Sequence, residues 1–528
     1  MEPPQPSLVN ANSWARPDFT LDPAFHPLPF LVALLVVLLA YATWDKRNGK
    51  LLPVINPLSW MDWTGGSGKS HFVENSIKMI PEASQKFGDR PYVVNSDVGR
   101  ITVLPAKYVE EIRNEPKLNF LKNNEEEFHG HLPGFEPFKA DFSIALIVLV
   151  ARRQLTKFLT KITKPLSIET SFALKRVIGD SPKWNEVNIV STNLNLVARL
   201  SSRVFLGPEI CRNDAWLHIT TQYTVDSFKA AYKLRLYPAS FRRIVNWFLP
   251  ETRVARAHLV KARSIIQPVL DKRSEEKRAA AEKGLPMPHY DDAIAWAEEE
   301  SKKQKYEPAM YQLGLSNAAI HTTTDLLSQT IINLLSNPEL IKALREEVIG
   351  VLREQGWTKL SLFNLKLMDS VIKETQRMKP IQLATMTRIA DADVHLSDGV
   401  IIRKGSKCAV ANTTRYDSTI YENPEVFDGY RFLRMRQTPG KENYAHLVST
   451  GPESLGFGHG AHACPGRFFA ANELKVALCH LLLKYDMKLS PNTLEPRVSA
   501  IGFSLNTDRK TNMMIRRRKE EIDIDALE

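Results

Sequence analysis

The stretch that decides the fold is FGHGAHACPGRFFA, residues 457–470. It sets Cys464 among glycines at 458, 460 and 466, with Phe457 and His462 close by. Glycine lets the backbone turn tightly around a side chain, because positive φ costs it little. Backbone N–H groups aimed at the sulfur, and the N-terminus of a following helix, both favour a thiolate. A thiolate held in this way is suited to ligate iron and to push electron density into it. Phe457 is placed to pack nearby and exclude water. The competing reading is a zinc site of His459, His462, Cys464 and His480. That spacing matches no common zinc pattern and leaves the glycines without a purpose.

Three other segments carry polar residues in telling places. IKETQRMKP sets Glu374 and Arg377 three apart, on one helix face. Such a pair by itself is usually exposed and contributes little. NPEVFDGYRF adds Phe427 and Arg431. LGLSNAAIHTTTDLL offers the small residues Ala318 and Ala319, then His321 and Thr322. Read alone, Thr322 fits a β-branched core position, and His321 a core or capping histidine.

The 528 residues are 43% hydrophobic and 24% charged, an ordinary globular composition. The formal charge is +11, which suits nucleic acid, anionic membrane or an acidic protein partner. No nucleic-acid motif accompanies it, so nucleic acid is not expected as a partner. The four cysteines, Cys211, Cys408, Cys464 and Cys479, show no paired spacing. That argues against a disulfide framework and for a reducing compartment.

Residues 27–44, PLPFLVALLVVLLAYATW, are predicted to be a transmembrane anchor, since a span needs about 17–25 apolar residues. Tyr41 and Trp44 suit the interface, and Lys46, Arg47 and Lys50 place the C-terminal side in the cytosol. Residues 1–26 would then be a lumenal tail. A cleaved signal peptide fits less well, because the basic residues follow the apolar run. Residues 45–59, with Pro53 and Pro57, read as a stiff hinge, and residues 60–528 as the cytosolic catalytic domain. In WTGGSGKSH, Gly68, Lys69 and Ser70 look like the end of a phosphate-binding loop, but Trp63 stands where that motif needs glycine. A polar loop is expected instead. Strand-like runs fall near 91–104 and again in DVHLSD, VIIRKGSKCAV and NMMIRRR, with a long helical centre. The charged DKRSEEKRAAAEKGLPMPHYDD reads as a solvated helix end and surface loop. The absence of alternating strands and helices disfavours a doubly wound sheet, so the fold class is mainly α with small β-sheets.

Phe457, Gly460, Cys464 and Gly466 match F-x-x-G-x-x-x-C-x-G in full, and the chain thereby resembles the cytochromes P-450. The resemblance implies a cytochrome P-450 fold preceded by a single N-terminal transmembrane helix in the endoplasmic reticulum. It implies haem b, with Cys464 as the iron ligand and His462 on a propionate. Arg388, and either Arg152 or Arg153, are further propionate candidates. Glu374, Arg377 and Arg431 would form the family's buried network. Thr322 would hydrogen-bond oxygen and relay a proton. His321 stands where an acid is usual, and histidine can also shuttle protons near neutral pH.

The implied reaction inserts one oxygen atom from O2 into a C–H or C=C bond and releases the other as water. Electrons would come from NADPH through a separate NADPH–cytochrome P-450 reductase, with cytochrome b5 as a further donor. Lys157, Lys161, Lys164 and Arg467 could attract that donor, or simply form a solvated basic face. The AAIHTT turn and segments within 151–166 and 234–273 resemble the fungal ent-kaurene-oxidase-like subgroup. That implies a terpenoid or related secondary metabolite, lined by residues 380–388 and 499–507. The rival functions are a haem-thiolate isomerase or dehydratase without net oxygen insertion, and a non-catalytic haem-binding protein. Thr322 and the small residues before it argue against the first.

Overall fold

The computed structural model describes residues 31–36, 52–57 and 66–528. Of the expected anchor at 27–44, residues 31–36 are helical, and the rest lies outside the described residues. Among the described residues no helix is long and apolar enough to cross a membrane.

The body begins with a departure from expectation. Gly66–Phe87 forms helix α1, so the segment expected as a polar loop is helical from Gly66 onward. The reason is periodicity: Phe72, Ser76, Ile80 and Ala83 recur at helical spacing and all four are buried. The expected hinge also differs where it is described. Residues 52–57 are strapped to the body: Val93 donates to the Pro53 carbonyl at 2.8 Å, and Ile55 donates to the Val93 carbonyl at 3.0 Å. Asn56 and Asn95 exchange amide hydrogen bonds with each other's backbone at 2.8 Å. Proline is tolerated there because the segment is a sheet edge.

The expected strand runs hold the strands over 92–104, 394–411 and 512–517, whereas those at 118–119, 185–188, 384–390 and 485–506 lie outside the expected runs. β1 (Tyr92–Ser96), β2 (Gly99–Leu104), β3 (Leu118–Asn119), β4 (Asn185–Asn188), β5 (Ala384–Ala390), β6 (Val394–His395), β7 (Ile401–Ile402) and β8 (Lys407–Ala411) are followed by β9 (Tyr485–Leu489), β10 (Ser499–Ile501), β11 (Ser504–Asn506) and β12 (Asn512–Arg517). The largest sheet has the order β1-β2-β8-β5-β3, and only β2 and β8 run parallel. β4-β12-β9 makes a second, antiparallel sheet.

Helices build the rest: α2 (Phe142–Val150), α3 (Leu159–Val177), α4 (Ile189–Ile210), α5 (Asp214–Arg235), α6 (Pro250–Glu282), α7 (Pro308–Leu335), α8 (Lys366–Met378) and α9 (Arg467–Lys484). α7 has 28 residues and so runs about 42 Å. Pro308 in its first turn pre-sets the helical φ. The helix is apolar on most sides and packs against α2, α4, α5 and α8. α9 starts three residues after Cys464 and is buried from Glu473 to Lys484. α7 carries Ala318, Ala319, His321 and Thr322, and α9 follows directly on the Cys464 loop.

Candidate functional site

The Cys464 loop is shaped by positive φ at Gly458 (66°) and Gly460 (76°). A side chain at 460 would also bring its Cβ within 2.5 Å of Arg113 Cβ and 2.6 Å of the Arg113 carbonyl oxygen. Both demands require glycine. The loop is closed by the Cys464 N–H donating to the Phe457 carbonyl at 2.8 Å, while the Phe457 ring packs against the main core. Ala461 N–H donates to Asn114 Oδ1 at 2.8 Å. Burial pushes the Cys464 thiol up, and the backbone N–H groups of Gly466 and Arg467 with the Arg467 charge pull it down. Gly466 caps the start of α9, so the sulfur sits at a helix N-terminus. A thiolate held here, half-buried, calls for a metal cation to offset its charge.

Two guanidiniums converge on the same loop. β5 is irregular between Thr385 and Arg388, and Met386 within that stretch has φ 55°. A bulge of this kind re-aims the following side chain. Arg388 is left buried, 5.3 Å from the Phe120 ring centroid, bonded only to the Thr387 carbonyl at 2.7 Å. Burial holds its guanidinium down at about 10. Ala151–Leu155 is a π-helical turn that separates two adjacent arginines. Arg152 donates to the Ala461 carbonyl of the cysteine loop, whereas Arg153 pairs with Glu300 at 3.2 Å. His462 feels both Arg388 and Arg152: partial burial, then these two charges, push it down to about 4. Among the described residues neither Arg152 nor Arg388 has a carboxylate partner. One sulfur for iron and two arginines for carboxylates is a donor set that fits haem.

On α7, Thr322 Oγ1 donates to the Ala318 carbonyl at 2.9 Å. Ala318 is exposed in the middle of this mostly buried helix, with Asn317, Ala319, His321 and Thr322 half-buried around it, so open space reaches this turn. His321 faces elsewhere: its Nε2 lies 3.0 Å from the Thr221 carbonyl of α5. A carbonyl only accepts, so Nε2 carries the proton and Nδ1 is the free lone pair. Burial lowers its pKa and the Thr221 bond opposes that.

One turn further on stands a residue the sequence reading passed over. Asp325 pairs with buried Lys379 and accepts from Thr507 N–H at 3.0 Å. It joins Lys379, which directly precedes the expected pocket wall 380–388, to Thr507 at the end of the other wall, 499–507, and the two walls also bond to each other. Leu505 donates to the Ile381 carbonyl at 2.8 Å, and Leu383 to the Phe503 carbonyl at 2.8 Å. Nothing in the local sequence marks Asp325, because its partners are 54 and 182 positions away.

The ion network is fully buried. Glu374 lies 2.7 Å from Arg377 Nε and 3.0 Å from Arg431 Nε. The two arginines spend their other donors on loop carbonyls, at Pro424 (2.8 Å), Asn423 (3.2 Å) and Val426 (3.0 Å). Of the four basic residues considered for donor docking, Arg467 is committed inward, to the Val448 (3.1 Å) and Cys464 (2.9 Å) carbonyls. Lys157, Lys161 and Lys164 lie along the start of α3 and just before it; Lys161 and Lys164 make long ion pairs, of 3.9 and 3.8 Å, and Lys161 also lies 5.0 Å from the Phe158 ring centroid.

The family model for cytochrome P-450 matches residues 210–512. A cytochrome P-450 monooxygenase, hepE, of Aspergillus oryzae is 45% identical over 93% of this chain and 91% of its own. A Gibberella fujikuroi cytochrome P-450 monooxygenase is 47% identical over 83% of this chain and 99% of its own. The crystal structure of the cytochrome P-450DA haem domain aligns with a TM-score of 0.65 at 16% identity, covering 89% of this chain and 97% of that one, which speaks to the fold. With that fold, that donor set and relatives matched along almost their whole length, the chain belongs to the cytochrome P-450 family and is a haem-thiolate monooxygenase.

Proposed function

We propose that this enzyme is membrane-attached, holds haem iron through Cys464 and oxidises a hydrophobic terpenoid or related fungal metabolite. The observation that carries the reading is the Cys464 loop: a half-buried cysteine at a helix N-terminus, flanked by two arginines that lack carboxylate partners among the described residues. Haem, when bound, supplies the dioxygen activation and oxygen transfer. The remaining work belongs to the chain. Gly458 and Gly460 shape the loop, Gly466 starts the helix, and Phe457 shields it from water. Arg388, Arg152 and His462 hold the propionates. A histidine kept neutral at physiological pH can donate one hydrogen bond there without adding a third charge.

Thr322 handles protons on the distal side. Its hydroxyl donates to the Ala318 carbonyl and keeps lone pairs free to accept. His321 takes part only through Nδ1, because Nε2 is occupied by Thr221. The substrate lies against residues 380–388 and 499–507, whose walls are mainly apolar with a few hydroxyls. The terpenoid class rests on the resemblance to the ent-kaurene-oxidase-like subgroup.

Attachment to the endoplasmic reticulum through residues 27–44 is supported by that segment's composition. A second feature favours a membrane surface: Leu236, Phe241, Ile244, Trp247 and Phe248 are more than half exposed within 13 residues, beside Arg242 and Arg243. Electrons from NADPH arrive through a separate reductase, or cytochrome b5, attracted by Lys157, Lys161 and Lys164.

The test is the reduced, carbon-monoxide-bound spectrum of wild type and Cys464→Ser. A strongly red-shifted Soret band in wild type, lost in the variant, is expected. A folded, haem-loaded wild type without that band would overturn the assignment of Cys464.

A further inference from the structure

Lys373 is a lysine with 2% exposure, immediately before the network residue Glu374. Its ammonium donates to three carbonyls of one loop: Tyr444 at 2.8 Å, His446 at 2.6 Å and Ser449 at 3.3 Å. The same loop is gripped one helical turn away. Asp369, on the same face of α8, accepts the Leu447 N–H at 2.8 Å and is itself held by Lys475 (2.6 Å) and Arg436 (2.7 Å). α8 therefore holds the loop with a donor to its carbonyls and an acceptor to its N–H.

Burying a lysine is costly, and three carbonyls oriented at one nitrogen offset that cost only while the loop keeps this shape. The loop in turn touches both flanks of the cysteine. Its Val448 carbonyl accepts Arg467 Nε at 3.1 Å, and Arg467 Nη1 donates to the Cys464 carbonyl at 2.9 Å. Its Thr450 hydroxyl lies 3.1 Å from His459 Nδ1. The chain of contacts runs from α8 through the 444–450 loop to the residues on either side of Cys464.

We propose that Lys373 is a positioning residue for the iron-ligand loop, gathering the 444–449 carbonyls so that Val448 and Thr450 seat Arg467 and His459 around Cys464. The inference rests on Cys464 being the ligand. The residue makes no contact with the reacting atoms; it acts through the loop.

The experiment compares purified, haem-loaded wild type, Lys373→Met and Lys484→Met. Met keeps the length and removes the donors. Lys484 is another buried lysine, at the far end of α9, bonded to Asp525 and Ser171, so it controls for generic loss of a buried charge. Lys373→Met is expected to keep its far-ultraviolet circular dichroism and to lose at least half of the red-shifted carbon-monoxide band. That intensity should reappear at the shorter wavelength of an iron without thiolate. Lys484→Met is expected to lose thermal stability and keep the wild-type band ratio. A wild-type ratio in Lys373→Met, or an equal loss in Lys484→Met, overturns the inference. If Lys373→Met does not fold, Thr450→Val carries the test at the other end of the loop. A partial loss of the same band is expected, and an unchanged ratio overturns the inference. A wild type with no red-shifted band removes the Cys464 reading and this inference with it, whereas a band that persists in the variants removes this inference alone.

Discussion

Arg431 Nε stands 3.0 Å from Oε1 of Glu374, a carboxylate with no solvent exposure contributed from 57 positions earlier in the chain. Arg377 occupies the other side of the same carboxylate, so each charge has its partner without water. Arg431→Leu removes one partner and leaves the loop carbonyls of Asn423 and Val426 without their donor. A loss of about 3–5 kcal/mol is expected, as for a broken buried ion pair. Denaturant unfolding and the ratio of haem to protein in the purified variant measure it. Stability within 1 kcal/mol of wild type, by the same order-of-magnitude scale, would show that the network is dispensable.

Arg388 and Arg153 make a matched comparison. Among the described residues Arg388 hydrogen-bonds only a neighbouring backbone carbonyl, whereas Arg153 is paired with Glu300. Arg388→Met is expected to weaken haem retention by tenfold or more, on the order of 1–3 kcal/mol for a lost charge-assisted bond. Arg153→Met should leave it nearly unchanged. Transfer of haem to apomyoglobin gives both rates. Equal rates in the two variants would argue against propionate binding by Arg388.

Asp325 ties both pocket walls to α7 through Lys379 and Thr507. Asp325→Asn keeps the acceptor for Thr507 but strands the Lys379 charge. Lower stability and an altered product distribution are expected, with smaller effects on haem binding. Asp325→Leu combined with Lys379→Met removes both charges and should recover most of the stability. Thermal unfolding of the single and double variants decides this; a double variant no better than Asp325→Asn contradicts the pairing argument.

Glu473 offers a pH dependence with a definite sign. It is fully buried on α9, with Ser201 donating at 2.8 Å. Burial raises its carboxyl from 4.5 to about 8, with Ser201 and Thr323 opposing. The unfolded carboxyl has lost its proton above 4.5, while the folded one keeps it to about 8. Unfolding therefore releases a proton across that window, and stability falls as pH rises through it. Glu473→Gln should remove this contribution, on the order of a few kcal/mol, and gain most over wild type near the upper end. Unfolding free energies at pH 5 to pH 8, about the range in which this linkage acts, give the two slopes. Parallel slopes would mean that Glu473 is already ionised in the fold.

The exposed Trp247 and Phe248 are predicted to enter a lipid surface. Replacing both by serine should weaken binding to anionic vesicles on the order of tenfold or more, from the apolar area no longer buried. Sedimentation with vesicles measures it. Undiminished binding would assign attachment to the N-terminal segment alone.

The Phe457–Gly466 motif was legible because its residues act within one loop, and it indicated the fold through the family resemblance it carries. Periodicity likewise placed the helical centre, and alternating hydrophobic runs placed β1, β2 and β12. The loop expected over Gly66–Ser70 failed because polar residues can open a helix when the apolar face begins only at Phe72. The choice between Arg152 and Arg153 was beyond the sequence: adjacent residues point apart only once a π-helical turn fixes which one meets Ala461. The sequence leaves His321 as either a proton shuttle or a core histidine, and only the fold shows that Thr221, 100 positions away, engages its Nε2 and leaves Nδ1. Asp325, Lys373 and Glu473 carried no local sign at all. Their roles come from partners on other elements, and a buried charge has meaning only through the groups that tertiary packing brings to it.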